Sequence, residues 1–353
     1  LGLQPLRFSL DFHPLLPLTI RGEGRPESEG AKRPERSQTQ YAGLVMIAVE
    51  HLSMHFNGLR AVDDVSFSVP EGEVFGFIGP NGAGKTTTIK ILATLLVPTA
   101  GRAWVDGHCV VNEPEAVRQV VGYMPDYYGV YDGVTVWEYL DFFAAAYRLP
   151  YRKRRATIDA VLELTDLEGL RHRLVGALSK GMKQRLCVAK TLIHDPKVLI
   201  LDEPAAGLDP RARIELRELL KELARMGKTI FISSHILTEL SDICTTVGII
   251  ERGKLLTAGR VDQITQTLSP VRRVVIEVGG REAEAERLLA DQPSVVHVSA
   301  DGARLRVELS AERSRIADLV ALLVAADIPV LGVSDDRRDL ESVFLRVTKG
   351  EVM

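Results

Sequence analysis

Cysteine is scarce in this chain: Cys109, Cys187 and Cys244 are the only three in 353 residues, odd in number and far apart. That pattern fits neither a disulfide framework nor a zinc knuckle, and it points to reduced thiols in a cytosolic compartment. A surplus of one charge is also missing. Lys and Arg number 44 against 47 Asp and Glu, a formal net charge of -3. The chain as a whole therefore has no pull toward nucleic acid or an anionic surface, and any basic contact face has to be local. Nucleic acid is set aside as a partner. No stretch approaches the roughly 18 uninterrupted apolar residues of a membrane span. The longest contender, "VALLVAADIPVLGV", is broken by Asp327 and Pro329, and the leucine-rich start carries Asp11, His13, Pro14 and Pro17 in its middle, unlike a signal-peptide core. No internal repeat is visible.

What is present is 46% hydrophobic residues in a length sufficient for two ordinary domains. Residues 21–40, "RGEGRPESEGAKRPERSQTQ", mix charge, Gly, Pro and Ser without apolar periodicity. Such a segment buries too little surface to offset its ordering entropy. Because a fully patterned strand, "MIAVEHLSMHF", begins at Met46, residues 1–45 are expected to be a disordered or non-native N-terminal extension. From Met46 to about residue 265 the pattern is first strand-rich and then alternates. "VDDVSFSVP" and "EVFGFIG" read as strands, "KTTTIKILATLL" as a helix, and "KVLILDEP" and "TIFISSH" as short apolar strands ending in polar residues. Fully apolar strands belong to a parallel α/β core covered on both faces, with its chemistry at the strands' carboxyl ends. Residues 130–180 read as an inserted helical subdomain. Residues 270–353 change order to strand, helix, strand, strand, helix, strand, the split βαβ pattern of a ferredoxin-like domain.

The chemistry begins at "VFGFIGPNGAGKTTTIK". A turn between strand and helix does not need Gly79, Gly82 and Gly84 together, nor a lysine at the helix start. The stretch Gly79, Pro80, Asn81, Gly82, Ala83, Gly84, Lys85, Thr86 has the G-x-x-x-x-G-K-[ST] form in the context that form requires. Backbone N–H groups of such a loop, continuing into Thr87, converge on phosphate oxygens at a helix N-terminus. Lys85 neutralises the β and γ oxygens, and the Thr86 hydroxyl serves Mg²⁺. A triphosphate is the expected ligand. "VLILDEP" puts Asp202 at a strand end, where it can hold Mg²⁺, usually through water, while Glu203 can polarise a water for attack on the γ-phosphate. In isolation "DEP" is more often a loop or helix-capping acid pair than a catalytic one.

In "ALSKGMKQRLCVAKTLI", Ser179 can simply N-cap the amphipathic helix that follows. Its place between the phosphate loop and the acidic strand end, with Gly181 two residues on, also resembles the LSGGQ signature of ABC ATPases. From about Ile47 to Val261 the chain resembles an ABC transporter nucleotide-binding domain. The resemblance implies a P-loop NTPase (RecA-like) α/β core with an antiparallel β subdomain, and carries roles onto matching residues. Phe56 matches the aromatic that stacks on adenine, with core packing as the other reading. Ser179, Lys180, Gly181 and Met182 match the signature that closes over the γ-phosphate of the opposite subunit. Asp209 in "AGLDP" matches the loop that links the two sites, and His235 the switch histidine. Two departures stand out: Lys180 and Met182 replace a glycine and a glutamine of the signature, and Asp126 in "VGYMPDYYGV" stands where the family carries glutamine. Asp126 is either a metal-reaching or a solvated acid. The run "RLPYRKRRA" places five cations at a helix start, an unfavourable position that reads as a solvated face or as a partner or lipid contact.

The resemblance thus implies an ATPase subunit that uses ATP and Mg²⁺ and works as a head-to-tail homodimer or heterodimer. It implies a transmembrane permease on a separate chain and a cytoplasmic position, peripheral on the inner face of the cell membrane. The tail "DRRDLESVFLRVTKGE", expected to end in a C-terminal helix, resembles subunits of ABC-2 type exporters, the daunorubicin-resistance-like group, which favours export. A soluble ABC ATPase acting on nucleic acid or ribosomes is the alternative, but Lys85 and Ser179 lie too close in sequence to flank a long coiled coil. A non-hydrolysing nucleotide switch is the other, and Glu203 and His235 both argue against it.

Overall fold

The computed structural model describes residues 45–127, 129–236, 240, 243–261, 263–264, 271–310 and 316–335. The expected extension up to residue 44 and the expected C-terminal helix after residue 335 lie outside them.

A six-stranded sheet forms the centre. Its strands are β3 (Val74–Ile78), β6 (Val121–Met124), β7 (Val198–Leu201), β8 (Thr229–Ser234), β9 (Thr246–Glu251) and β10 (Lys254–Arg260), in the order β10-β9-β3-β8-β7-β6. The pairs β9/β3, β3/β8, β8/β7 and β7/β6 are parallel, and β10 is an antiparallel edge. β3, β7, β8 and β9 are buried along their whole length, whereas β10 alternates between exposed and half-buried positions. The apolar strand sequences follow from this: alternate residues feed two different cores. Val198, Ile200, Phe231, Phe75 and Phe77 point to one face, and Leu199, Leu201, Ile230, Ile232 and Ile78 to the other.

The first face packs on α1 (Lys85–Leu92) and on a four-stranded antiparallel sheet, β2-β1-β4-β5, made of β1 (Val45–Phe56), β2 (Leu59–Pro70), β4 (Ala100–Val105) and β5 (His108–Cys109). Phe67 on β2 stacks on Phe75 at 5.2 Å between centroids, and Phe75 on Phe231 at 5.3 Å, so aromatic faces join the two sheets, and at their margin the Asp63 N–H donates to the Gly253 carbonyl at 2.8 Å. Such pairs contribute about 0.5–1.5 kcal/mol each beyond area burial. The second face packs on α3 (Val136–Ala146), α4 (Tyr151–Leu164), α5 (Lys180–Leu192) and α6 (Pro210–Arg225). α2 (Pro114–Val120) leads into β6.

The helices start where the sequence provides caps. Thr135 and Glu138 form a capping box on α3, Ser179 caps α5, and Asp209 caps α6 with Pro210 at its first position. Leu216, Leu219, Leu220 and Leu223 give α6 its buried stripe. α1 ends at Leu92, several residues before the end of the apolar run "KILATLL", because Thr94 turns left-handed with φ 62°.

A third group of strands, β11 (Val271–Val278), β12 (Val295–Asp301), β13 (Arg304–Ser310) and β14 (Val330–Asp335), forms an antiparallel sheet in the order β12-β13-β11-β14. With α7 (Glu282–Ala290) and α8 (Ile316–Ala325) it encloses its own core, including Ile276, Leu289, Val307 and Leu323. All three cysteines are free thiols, with Cys187 and Cys244 buried.

Candidate functional site: a phosphate loop at the strand ends

Parallel pairing aligns the carboxyl ends of the central strands: Ile78 lies opposite Ser234, Leu201 opposite Ile232, and Met124 opposite Leu201. Whatever follows β3, β6, β7 and β8 therefore gathers at one edge. β3 runs into the loop from Gly79 to Gly84, and α1 begins at Lys85. Gly84 occupies the N-cap with φ 103°, and no side chain caps the helix. A Cβ there would strike the Ala61 carbonyl, and one on Gly79 would strike the Ile250 carbonyl, so glycine is a packing requirement at both ends of the loop. The first backbone bond of the helix is Thr88 N–H to Gly84 O at 3.0 Å, and the first turn has no acidic residue. The N–H groups of Lys85, Thr86 and Thr87 are thus left for an anion at the positive end of the helix.

Lys85 is 5% exposed. Its ammonium donates to Gly79 O at 2.7 Å and Pro80 O at 3.1 Å and lies 3.3 Å from Glu203 Oε1. The other oxygen of Glu203, Oε2, is 2.7 Å from Nδ1 of His235. The sequence-derived loop, acid and histidine are therefore one connected set. Glu203 is held there at a positive φ of 47°, a backbone state that costs a non-glycine residue about 1–2 kcal/mol and that persists where the surroundings impose it.

Asp202 is fully buried. Its Oδ1 accepts from the Ser233 hydroxyl at 2.6 Å, while Oδ2 has no hydrogen-bond donor in the described residues. Burial pushes its carboxyl up from the usual range. Ser233 and Thr86 oppose the shift, and the charges of Asp126 and Glu203 add to it. The Thr86 hydroxyl thus favours the charged form of Asp202. A buried carboxylate oxygen without a donor, beside a hydroxyl, fits a cation. Among the described residues no group of three or more acidic, histidine or cysteine side chains is placed to hold a metal. The donor set suits a magnesium ion that keeps substrate oxygens and waters in its shell.

Asp126 follows β6, is exposed, and accepts from the Tyr127 N–H at 2.8 Å. Its charge still reaches inward: the Tyr123 phenol is pushed up by burial first, and then by Asp202 and Asp126. Two residues that sequence reasoning missed complete the wiring. Ser233, besides holding Asp202, accepts from the Glu203 N–H at 2.9 Å and so positions both acids. Gln184, buried on α5, donates to the Pro204 carbonyl and ties that helix to the acidic loop. The available signal was a polar residue inside an otherwise apolar buried face, which demands a partner.

The remaining sequence-derived residues lie apart from this cluster. Ser179 and Asp209 cap α5 and α6, with bonds from Met182 N–H at 3.3 Å and Ala212 N–H at 2.9 Å. The two helix starts are packed together: a Cβ on Gly181 would come within 3.0 Å of Ala212 Cβ, and one on Gly207 would collide with the Lys180 ammonium. Phe56, at the β1–β2 turn, is 40% exposed rather than part of the core.

Residues 62–206 match the family described as ABC transporter. The chain is 34% identical to the daunorubicin/doxorubicin resistance ATP-binding protein DrrA of Streptomyces peucetius, over 83% of its own length and 89% of that protein's. It is likewise 34% identical to the Nod factor export ATP-binding protein I of Ralstonia nicotianae, over 87% of its length and 95% of that protein's. A solved structure described as the ATP binding subunit of an ABC transporter superposes with a TM-score of 0.58 at 32% identity, covering 63% of this chain and 92% of that one. The chain belongs to the ATP-binding subunits of ABC transporters.

Proposed function

We propose that this subunit binds ATP with Mg²⁺ at the strand-end site, hydrolyses it, and powers export through a transmembrane permease on a separate chain. The observation that carries the reading is the continuous set Lys85–Glu203–His235 beside a buried Asp202. The loop from Gly79 to Thr87 binds the phosphates through its backbone and Lys85. Thr86 and Asp202 would hold the magnesium ion, with Asp126 as a further carboxylate within electrostatic reach; when bound, the ion supplies charge neutralisation at the β and γ oxygens. Glu203 accepts the proton of the attacking water, and His235, on its second oxygen, fixes its direction. Phe56 offers its exposed ring to the adenine. Ser179, Lys180, Gly181, Met182 and Asp209 form the face presented to a second ATPase subunit, in a homodimer or a heterodimer.

Residues 46–265 constitute the ATPase domain in this reading, with α3 and α4 as the inserted helical subdomain. Residues 270–353 form a ferredoxin-like accessory domain, which the strand order β12-β13-β11-β14 supports. Export rests on the drug-resistance and Nod-factor relatives. The subunit sits on the cytoplasmic face of the membrane. Among the described residues no helix is long and apolar enough to cross it. The permease docks beside the Asp126 loop, where Tyr127, Tyr131 and Phe142 are exposed. The test is Glu203→Gln, for which ATP turnover falls by about 10²-fold or more while Mg·ATP still binds. Size-exclusion chromatography then shows an ATP-dependent dimer. Wild-type turnover in this variant would place the base elsewhere.

A further inference from the structure

A groove of about 630 Å³ lies on the helical layer, lined by Trp137 and Asp141 of α3, Tyr151, Arg152, Arg154 and Arg155 of α4, and Arg171 and His172 of the turn that follows. The walls are fixed by backbone bonds. Val136 N–H donates to Arg173 O and Trp137 N–H to Arg171 O, both at 3.0 Å, so the turn is stitched to the capped start of α3. Arg154 is likewise anchored, donating through Nε to Leu149 O at 2.9 Å.

Charge in the groove is unbalanced. Asp159 serves both Arg155 and Arg171, and Asp141 lies 3.8 Å from Arg154. Two carboxylates thus answer three guanidinium groups, and Arg152 has no carboxylate partner among the described residues. The first turn of α4 contains no acidic residue and has no side-chain cap. Its positive end therefore adds to the excess instead of offsetting it. No aliphatic side chain lines the groove, and six of its eight lining residues are charged side chains or histidine, a lining that favours an anion over an apolar peptide segment. Guanidinium groups from two separate elements suit a phosphate, which each can grip with two hydrogen bonds. Tyr151, 82% exposed beside these arginines, adds the amphipathic ring that accompanies basic residues at lipid headgroups.

We propose that this groove binds the phosphate of an anionic phospholipid headgroup and is a membrane contact of the subunit separate from its permease. The inference rests on the membrane association proposed above. Its test is co-sedimentation of the full chain with vesicles of phosphatidylglycerol and phosphatidylcholine, and with vesicles of phosphatidylcholine alone. Binding is expected only to the first, and weakens in 0.5 M salt as counter-ions screen it (chosen to be well above the roughly 0.15 M physiological range). Arg152→Ala should lower it about fivefold, the effect of one cation at such a surface. Arg152 and Tyr151 are exposed and outside the nucleotide site, so both Arg152→Ala and Tyr151→Ala should keep wild-type basal ATPase activity, which verifies folding. Equal binding of wild type and Arg152→Ala would overturn the proposal. So would binding to inorganic phosphate, followed by arginine-dependent chemical shift changes, without preference for the anionic vesicles. Intact ATPase activity with no vesicle binding would sink this inference alone and leave the transport function standing.

Discussion

Asp202 sits in surroundings that resist its charge, and this sets what its substitution does. Its folded pKa is raised, chiefly by burial, so the neutral acid suits the nucleotide-free fold better than the anion does. The sign follows from linkage: the stabilising protonated state is complete below the unfolded value near 3.9 and is lost as pH rises through the folded one. Asp202→Asn keeps an acceptor for Ser233 and removes the charge. It should raise the melting temperature of nucleotide-free protein at pH 7.5, by an amount that shrinks as the pH is lowered toward the acid range. It should at the same time abolish Mg-dependent nucleotide binding. A lower melting temperature at pH 7.5 would contradict this account of the site. Stability given up to hold an unfavourable charge is a mark of function at that position.

Asp126 separates two residue-scale cases. If its carboxylate serves the metal, Asp126→Ala weakens basal Mg·ATP turnover and Asp126→Gln restores most of it. If its loop serves docking, both variants keep basal turnover and lose stimulation by the reconstituted permease. Unchanged basal and stimulated rates in both would leave only a solvated acid.

At the scale of elements, α5 is anchored at both ends: Ser179 caps its start, and just past its end His194 hydrogen-bonds the Val121 carbonyl at 3.0 Å while stacking on Tyr147 at 3.8 Å. Burial lowers the His194 pKa, so the fold favours neutral imidazole. Stability from this contact is present above the unfolded value near 6.5 and is lost as pH falls through the lower folded value. Melting temperature should therefore drop between pH 7.5 and 5, and the drop should be smaller in His194→Phe. Equal slopes would remove His194 from the account.

The sequence made some elements readable and hid others for physical reasons. β3 and β7 announced themselves because burial on both faces makes them almost wholly apolar, and β8 by its apolar run from Ile230 to Ile232. The phosphate loop did so because its glycines answer steric demands at Ala61 and Ile250. β10 was missed because an exposed edge strand has no such pattern, and β5 because it is two residues long. Ser233 and Gln184 were missed for a different reason. Their roles depend on partners 31 and 20 positions away, and a short motif does not register that kind of pairing. The sequence also read Ser179 as either a cap or a signature residue; in the structure it does cap α5, and the two roles are compatible.

For the whole molecule, the described fold begins with Val45 opposite Pro70 on the first strand pair, which bears on the expected dispensability of residues 1–45. A chain starting at Met46 should keep the melting temperature and ATPase rate of the full protein within error. A large loss of either would show that the upstream segment contributes to the fold or to the site.

The sharing of Lys85 between Gly79, Pro80 and Glu203 carries a consequence for timing. Two donors of the ammonium go to backbone carbonyls of the loop, and its charge lies 3.3 Å from the proposed base. A phosphate that draws the lysine away leaves the Glu203 carboxylate with His235 alone, less neutralised and readier to take a proton. In the proposed reaction the arrangement would work as an interlock: arrival of the substrate's charge would arm the base that activates the water, and a chain without nucleotide would hold that base in check.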